Sequence, residues 1–312
     1  MHLAQPSDRI ALPLNTRLER PPLDSRVPPP GSLGDLLNLL GVTSADRHDW
    51  DRLPVAMRRI RAGTTLVREG TQLEYLYFVR SGSLKLERML EDGYVQVLGL
   101  AGRADVIGFE AICTQRHGST AVALEDSSVY ALTVKELGAL RARMPALDQG
   151  LQYTLSAQMA RAADTLEVMS AVASEVRLAR FLILYAARMA QWGRSTSRFR
   201  LRLSRRDIAS LLGVAHETVS RSFGELIKWG YLQVERREVE IVDLDGLADL
   251  ARNTRGLVRE RIAGAGALSA ATTARTGKQA RRAASNGHDK RGSVPAAEPG
   301  YVPWPDWHGE LR

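Results

Sequence analysis

Apolar and polar residues change rhythm along this chain. From about residue 58 to residue 134, short alternating runs are separated by glycines. Leu84, Lys85, Leu86 and Glu87 alternate, as do Val95, Gln96 and Val97, and Gly63, Gly70, Gly82, Gly93, Gly102 and Gly108 punctuate the region. A period of two bounded by glycine turns predicts short strands. Strands so closely spaced predict a sandwich or barrel, a region suited to a small molecule or a protein partner. A short helix is expected ahead of it, at 33–40. From about residue 147 the period lengthens. Leu151, Leu155, Met159, Ala162, Leu166, Met169 and Val172 recur every three or four residues, an apolar stripe along one helix of more than twenty residues. A stripe this long and narrow has the form of a coiled-coil seam and predicts a dimer. Packing on the chain's own barrel is the other reading, and both can hold on different faces. A second helix is predicted at 174–191. A polar, arginine-rich connection follows at 193–202, with strand character near its end.

The segment from residue 203 to residue 231 reads as helix, turn, helix. Ser204 can cap the first helix, with Asp207 three residues on in a capping box. Ile208, Leu211 and Leu212 face inward, and Gly213 stands where a tight turn needs an unhindered backbone. The second helix, at 216–229, buries Val219, Phe223 and Leu226 or Ile227 by spacing, and Gly230 ends it. Residues 232–242 alternate as a two-stranded wing, and 245–251 form a short closing helix. The exposed start of the second helix carries His216, Glu217, Ser220 and Arg221. With Thr218 beside them and Arg205 on the first helix, these are the candidate DNA contacts. The first turn of a recognition helix meets base edges in the major groove. Arginine suits guanine O6 and N7, and a carboxylate accepts from cytosine N4. A plain Glu217–Arg221 salt bridge, worth about 0.2–0.5 kcal/mol, is the competing reading. The glycine turn, the apolar spacing and the wing together favour DNA.

Composition narrows the class. The 312 residues are 44% hydrophobic and 25% charged, and no apolar run approaches the roughly 18 residues of a membrane span. The start of the chain is Pro-rich and charged, unlike a signal peptide, so a cytoplasmic location is expected. Cys113 is the only cysteine, which leaves no internal disulfide and no metal site built on several thiolates. The net charge of +8 is uneven. Residues 252–292 hold ten Lys and Arg against two acids, and residues 1–251 keep a net of only +2. That favours nucleic-acid contact without requiring it, since a solubilising tail looks the same. No Walker-type loop, zinc-binding histidine pair or nucleophile motif is present, so the chain is not read as an enzyme. The expected organisation is a disordered N-terminus at 1–32, a barrel at 33–146, a dimerisation helix at 147–173, a DNA-binding domain at 174–251 and a basic disordered tail at 252–312. Its aromatic end, Tyr301, Trp304 and Trp307, is read as unstructured rather than as a docking motif.

Three runs carry a family resemblance: RSGSLKL at 80–86, IGFEAI at 107–112 and ETVSR at 217–221. With them, residues 53–251 resemble the Crp/Fnr family of transcription regulators, in the branch of the anaerobic fumarate–nitrate regulator. The resemblance implies an α+β chain: a β jelly-roll barrel like a cyclic-nucleotide-binding domain, a long dimerisation helix and a C-terminal winged helix-turn-helix. It implies a homodimer that binds palindromic DNA and recruits or blocks RNA polymerase. Residues matching Glu217, Ser220 and Arg221 read a TTGAT-type half-site in that branch, and His216 would make at most a phosphate contact. Ala215 departs from the usual Ser or Thr helix cap. The known sensor residues are missing. The Arg-Ser pair that grips a cyclic phosphate is matched by His117 and Gly118, so cyclic AMP is not expected, although Arg116, one residue away, would supply part of the site if the match shifts by one. The iron–sulfur cysteines are absent, with Tyr130 at the barrel position, which excludes such a cluster within one chain. A two-residue insertion, Arg103 and Ala104, precedes Asp105. The effector is read as unknown or absent. Alternatives are a redox- or gas-responsive regulator using Cys113 or bound haem, with His117 as a weak ligand candidate, and a nucleotide-sensing module that does not read DNA.

Overall fold

A computed structural model describes residues 31–42 and 53–254. The expectations for 1–30, for 255–312 and for the aromatic end lie outside the described residues. Nine strands build the first domain: β1 (Gly31–Ser32), β2 (Pro54–Ile60), β3 (Thr65–Val67), β4 (Tyr75–Ser81), β5 (Ser83–Met89), β6 (Val95–Gly102), β7 (Val106–Ile107), β8 (Thr120–Ala123) and β9 (Ser127–Thr133). They form two antiparallel sheets, one in the order β1-β2-β9-β4-β7 and one in the order β3-β8-β5-β6.

The strand period decides the layers. On β4, Phe78 and Val79 are adjacent and both fully buried, yet they enter different cores. Val79 joins Leu84, Ala101, Ala121 and Val129 between the sheets. Phe78 joins Leu76, Tyr130 and the leucines of α1 (Leu33–Leu39) on the other face. Successive side chains point to opposite faces, so a strand covered on both sides is apolar throughout its middle. Gly82 makes the turn from β4 to β5 at φ +87°, and a Cβ there would lie 2.7 Å from the Ser127 backbone. Only glycine fits both demands.

The helical half begins with α2 (Val134–Arg143) and α3 (Pro145–Ser170). Leu147 and Leu151 of α3 are buried in the core that holds Phe78, whereas Met159, Leu166 and Val172 are 74%, 70% and 72% exposed. The stripe therefore divides, its start packed on the barrel and Met159 and Leu166 open; α3 ends at Ser170 and Ala171 is extended, so Val172, expected on the same helix, lies beyond it. After α4 (Ser174–Gln191) and β10 (Arg198–Arg200) come α5 (Arg205–Leu212), α6 (His216–Lys228), β11 (Leu232–Glu235), β12 (Glu238–Ile241) and α7 (Leu244–Ala251). The sheet β10-β12-β11 is the wing.

Two further sequence expectations are corrected, and one left open between two residues is decided. Gly31 and Ser32 are a strand paired with Val55 and Pro54, not part of a disordered end. Tyr130 packs so closely on Gly31 that a Cβ would sit 2.3 Å from its ring. Residues 252–254 belong to the fold rather than the tail, because the Thr254 carbonyl accepts from the Val172 amide at 3.0 Å and Arg180 donates to Thr254 Oγ1 at 2.9 Å. Ile227 is 42% exposed, and Leu226 alone closes that turn of α6.

Candidate nucleic-acid interface

The helix-turn-helix is held from within and from below. Ser204 and Asp207 form the capping box of α5, satisfying amides that the helix start leaves free. Gly213 ends α5 at φ +63°. Ile208, Leu212, Val219 and Leu226 are buried between α5 and α6 and their neighbours. Arg177 of α4 donates to the Leu212 carbonyl at 2.9 Å, a cation at a helix C-terminus where carbonyls lack partners. Ser222 is buried on α6, and its Oγ lies 3.0 Å from Ser174 Oγ at the start of α4. Arg177 and Ser222 were not singled out from the sequence. Their partners are 35 and 48 residues away, and no local pattern marks such a pair.

The other face of α6 is open. His216, Glu217, Ser220 and Arg221 are exposed, and Thr218 is half-buried. The structure thus brings four of the candidates onto one accessible surface. His216 Nδ1 lies 3.7 Å from Glu217 Oε1. The Glu217 backbone amide at the helix start, then His216 and Arg221, hold the Glu217 carboxyl below its ordinary value. It is an anion at neutral pH, the form that accepts from cytosine N4. Ala215 takes the N-cap position with φ −68° and ψ 150° and supplies no side-chain hydrogen bond. Arg205 is partly spent elsewhere. Its guanidinium carbon lies 3.2 Å from the centre of the Phe223 ring, and burial pushes its pKa down to about 10. It stays cationic at neutral pH, and its Nη1 is buried without a hydrogen-bond partner.

The same domain exposes further cations. Arg198, Arg200 and Arg206 are exposed, and Arg236 and Arg237 form the wing turn. Arg236 stands at φ +56°, a left-handed conformation that costs a non-glycine residue about 1–2 kcal/mol. It was missed in the sequence because nothing local marks an arginine at a turn tip.

Residues 57–144 match the cyclic nucleotide-binding domain family, and residues 176–250 match the Crp-like helix-turn-helix domain family. The transcriptional regulatory protein btr of Bordetella pertussis is 34% identical over 70% of this chain and 90% of its own length. The fumarate and nitrate reduction regulatory protein of Escherichia coli K12 is 36% identical over 68% of this chain and 86% of its own. This chain belongs to the Crp/Fnr family. Among solved structures, FixK2 of Bradyrhizobium japonicum superimposes with a TM-score of 0.58 at 25% identity, over 66% of this chain and all of that one. A CRP-family transcriptional regulator of Thermus thermophilus shares the fold at a TM-score of 0.53 and 23% identity, over 64% of this chain and 98% of its own. The protein is a DNA-binding transcription regulator with an α+β fold, and it is not an enzyme. Among the described residues, no helix is long and apolar enough to cross a membrane.

The matching family is a cyclic nucleotide-binding domain, and the resemblance assigns its phosphate grip to His117 and Gly118, whose surroundings do not suit a cyclic phosphate. His117 is buried, with Nδ1 3.6 Å from Glu110 Oε1, beyond hydrogen-bond reach. A carboxylate there opposes an anionic phosphate, and imidazole lacks the guanidinium fork. The Gly118 carbonyl accepts from Arg88 Nε at 2.8 Å, so that arginine is already engaged. An iron–sulfur cluster needs several thiolates, and the sequence has one cysteine. Cys113 is exposed, and its Sγ lies 3.7 Å from the Glu110 carbonyl.

Proposed function

We propose that this regulator acts in the cytoplasm as a homodimer that reads a palindromic TTGAT-type site and engages RNA polymerase from it. The observation that carries this reading is the open face of α6, where Glu217 and Arg221 stand one turn apart beside Ser220 and His216. Arg221 donates to guanine O6 and N7, Glu217 accepts from the paired cytosine, and Ser220 adds a contact to either strand. His216, Thr218 and Arg205 contact the backbone, which sets register without reading sequence. The wing arginines extend the phosphate contacts. Leu166 and Met159 of α3 form the seam with the second copy.

The chain has one cysteine and, at the positions the resemblance assigns, no cyclic-phosphate grip, which favours a dimer competent without an effector and controlled by its amount over one switched by a ligand. Affinity measured before and after oxidant, nitric oxide, haem or cyclic nucleotide should stay constant. A change with oxidant that is lost in Cys113→Ser would move the reading to a thiol sensor. The central test is a gel shift with a TTGAT-N4-ATCAA duplex. Retention at moderate salt is expected, and failure to bind with or without cell extract would reject the proposal.

A further inference from the structure

β6 is the outer strand of its sheet. An outer strand presents amides and carbonyls that no neighbouring strand can pair. Here a helix of the DNA-binding domain takes them. Ser210 of α5 is 4% exposed. Its Oγ accepts from the Val97 amide at 2.7 Å and donates to the Val95 carbonyl at 3.0 Å. Gln96, between those two, returns the contact, with Nε2 donating to the Ser210 carbonyl at 2.5 Å. One turn earlier on α5, Asp207 accepts from Lys85 Nζ of β5 at 2.8 Å. A serine hydroxyl both donates and accepts, so one side chain stands in for a missing strand.

Two further contacts join the same domains. Glu125, after β8, pairs with Arg194 at 2.9 Å and Arg202 at 3.1 Å, on the two sides of β10. Asp105, before β7, is buried between Arg161 of α3 and Arg188 of α4. A body held at one point swings, and one held at two can still turn. Contacts on three separate elements oppose both. None of them covers the reading face, since His216, Glu217, Ser220 and Arg221 stay exposed. The dock therefore does not hide α6. It sets the direction in which α6 projects from α3.

We propose that Ser210, with Gln96 and the Lys85–Asp207 pair, is a positioning residue that fixes the separation of the two reading helices, and so determines half-site spacing rather than base identity. The inference rests on the dimer reading above. Successive major grooves face one side of the duplex about 34–36 Å apart, so a rigid pair of readers meets one spacing, while loosely tethered readers tolerate several.

The test uses the full chain and Ser210→Ala. Asp207 is left alone because it also caps α5. Gel shifts compare palindromes that differ only in spacer length with a duplex carrying one half-site, TTGAT or the sequence selected in its place from random DNA. The natural protein should prefer one spacer by about 10²-fold. Ser210→Ala should discriminate by less than about tenfold, with half-site affinity and base preference unchanged. Undiminished discrimination in the variant would overturn the inference. So would a loss on the half-site equal to the loss on the palindrome, which would mark a merely structural serine. A natural protein that binds one half-site as tightly as the palindrome would reject the dimer reading and the spacing inference together. Should Ser210→Ala melt below the assay temperature, Gln96→Ala replaces it with the same outcomes.

Discussion

Glu217 and Arg221 lie one turn apart on α6 and are both exposed. Their side chains can meet each other or a base pair, and the proposed function rests on the second use. Arg221→Ala should weaken the palindrome by about 1–3 kcal/mol and relax the choice at the guanine. Footprints unchanged by that substitution would place the reading helix elsewhere. A residue's type and its face on the helix were enough to nominate this pair. The same approach failed for Ser222 and Arg177, whose partners Ser174 and Leu212 are distant in sequence. Arg205 shows a third case. Its position at the start of α5 marked it as a contact, but only packing reveals that Phe223 takes the flat side of its guanidinium.

At the scale of elements, α6 begins without a side-chain cap. Ala215 already has the extended backbone of an N-cap, so Ala215→Ser needs no rearrangement. It should stabilise the chain by about 0.5–2 kcal/mol in denaturant unfolding. No gain would mean that the first amides of α6 already have partners. The helix α3 gives a prediction of the opposite kind. Leu166 is 70% exposed in a single chain, so Leu166→Glu should change protomer stability by no more than about 0.5 kcal/mol. It should abolish the dimer in analytical ultracentrifugation, because a charge then faces a charge across the seam. A dimer that survives would move the interface off this stripe. The periodicity of α3 was readable from the chain. Its division into a barrel-facing start and an open remainder was not, because Leu151 and Leu166 look alike in sequence.

Across the whole molecule, charges hold the two domains together. Asp105 is buried and paired with Arg161 and Arg188. Burial pushes the Arg188 guanidinium down from its ordinary value, and Asp105 opposes that shift. Asp105→Ala leaves a buried cation unpaired and should cost about 3–5 kcal/mol by urea unfolding. A cost under about 1 kcal/mol would show that water reaches Arg188. The Lys85–Asp207 pair predicts a pH profile. Burial pushes the Asp207 carboxyl up, but hydrogen bonds from Lys85 and Ser204 prevail and hold it below the ordinary 3.8. Its contribution is complete above pH 3.8 and fades as pH falls through the lowered folded value. Burial pulls Lys85 down, but hydrogen bonds to Asp207 and Glu87 prevail and hold it above 10.5. Its contribution is complete below pH 10.5 and fades as pH rises through the raised value. The difference in melting temperature between the natural protein and Lys85→Ala should therefore be flat through neutral pH. A step in that difference near neutrality would contradict the assignment.

Sequence alone determined the order of elements, the helix-turn-helix and the side chains on the open face of α6. Each depends on spacing within one segment: a period of two for strands, three to four for helices, a cap or a glycine at an end. Tertiary structure alone decided how those segments meet. Ser210 satisfies the edge of β6 from 113 residues away, and Asp105 holds Arg188 across 83. Contacts between residues so far apart leave no local pattern, because what selects them is the geometry of the packed domains and the cost of leaving a buried polar group unpaired.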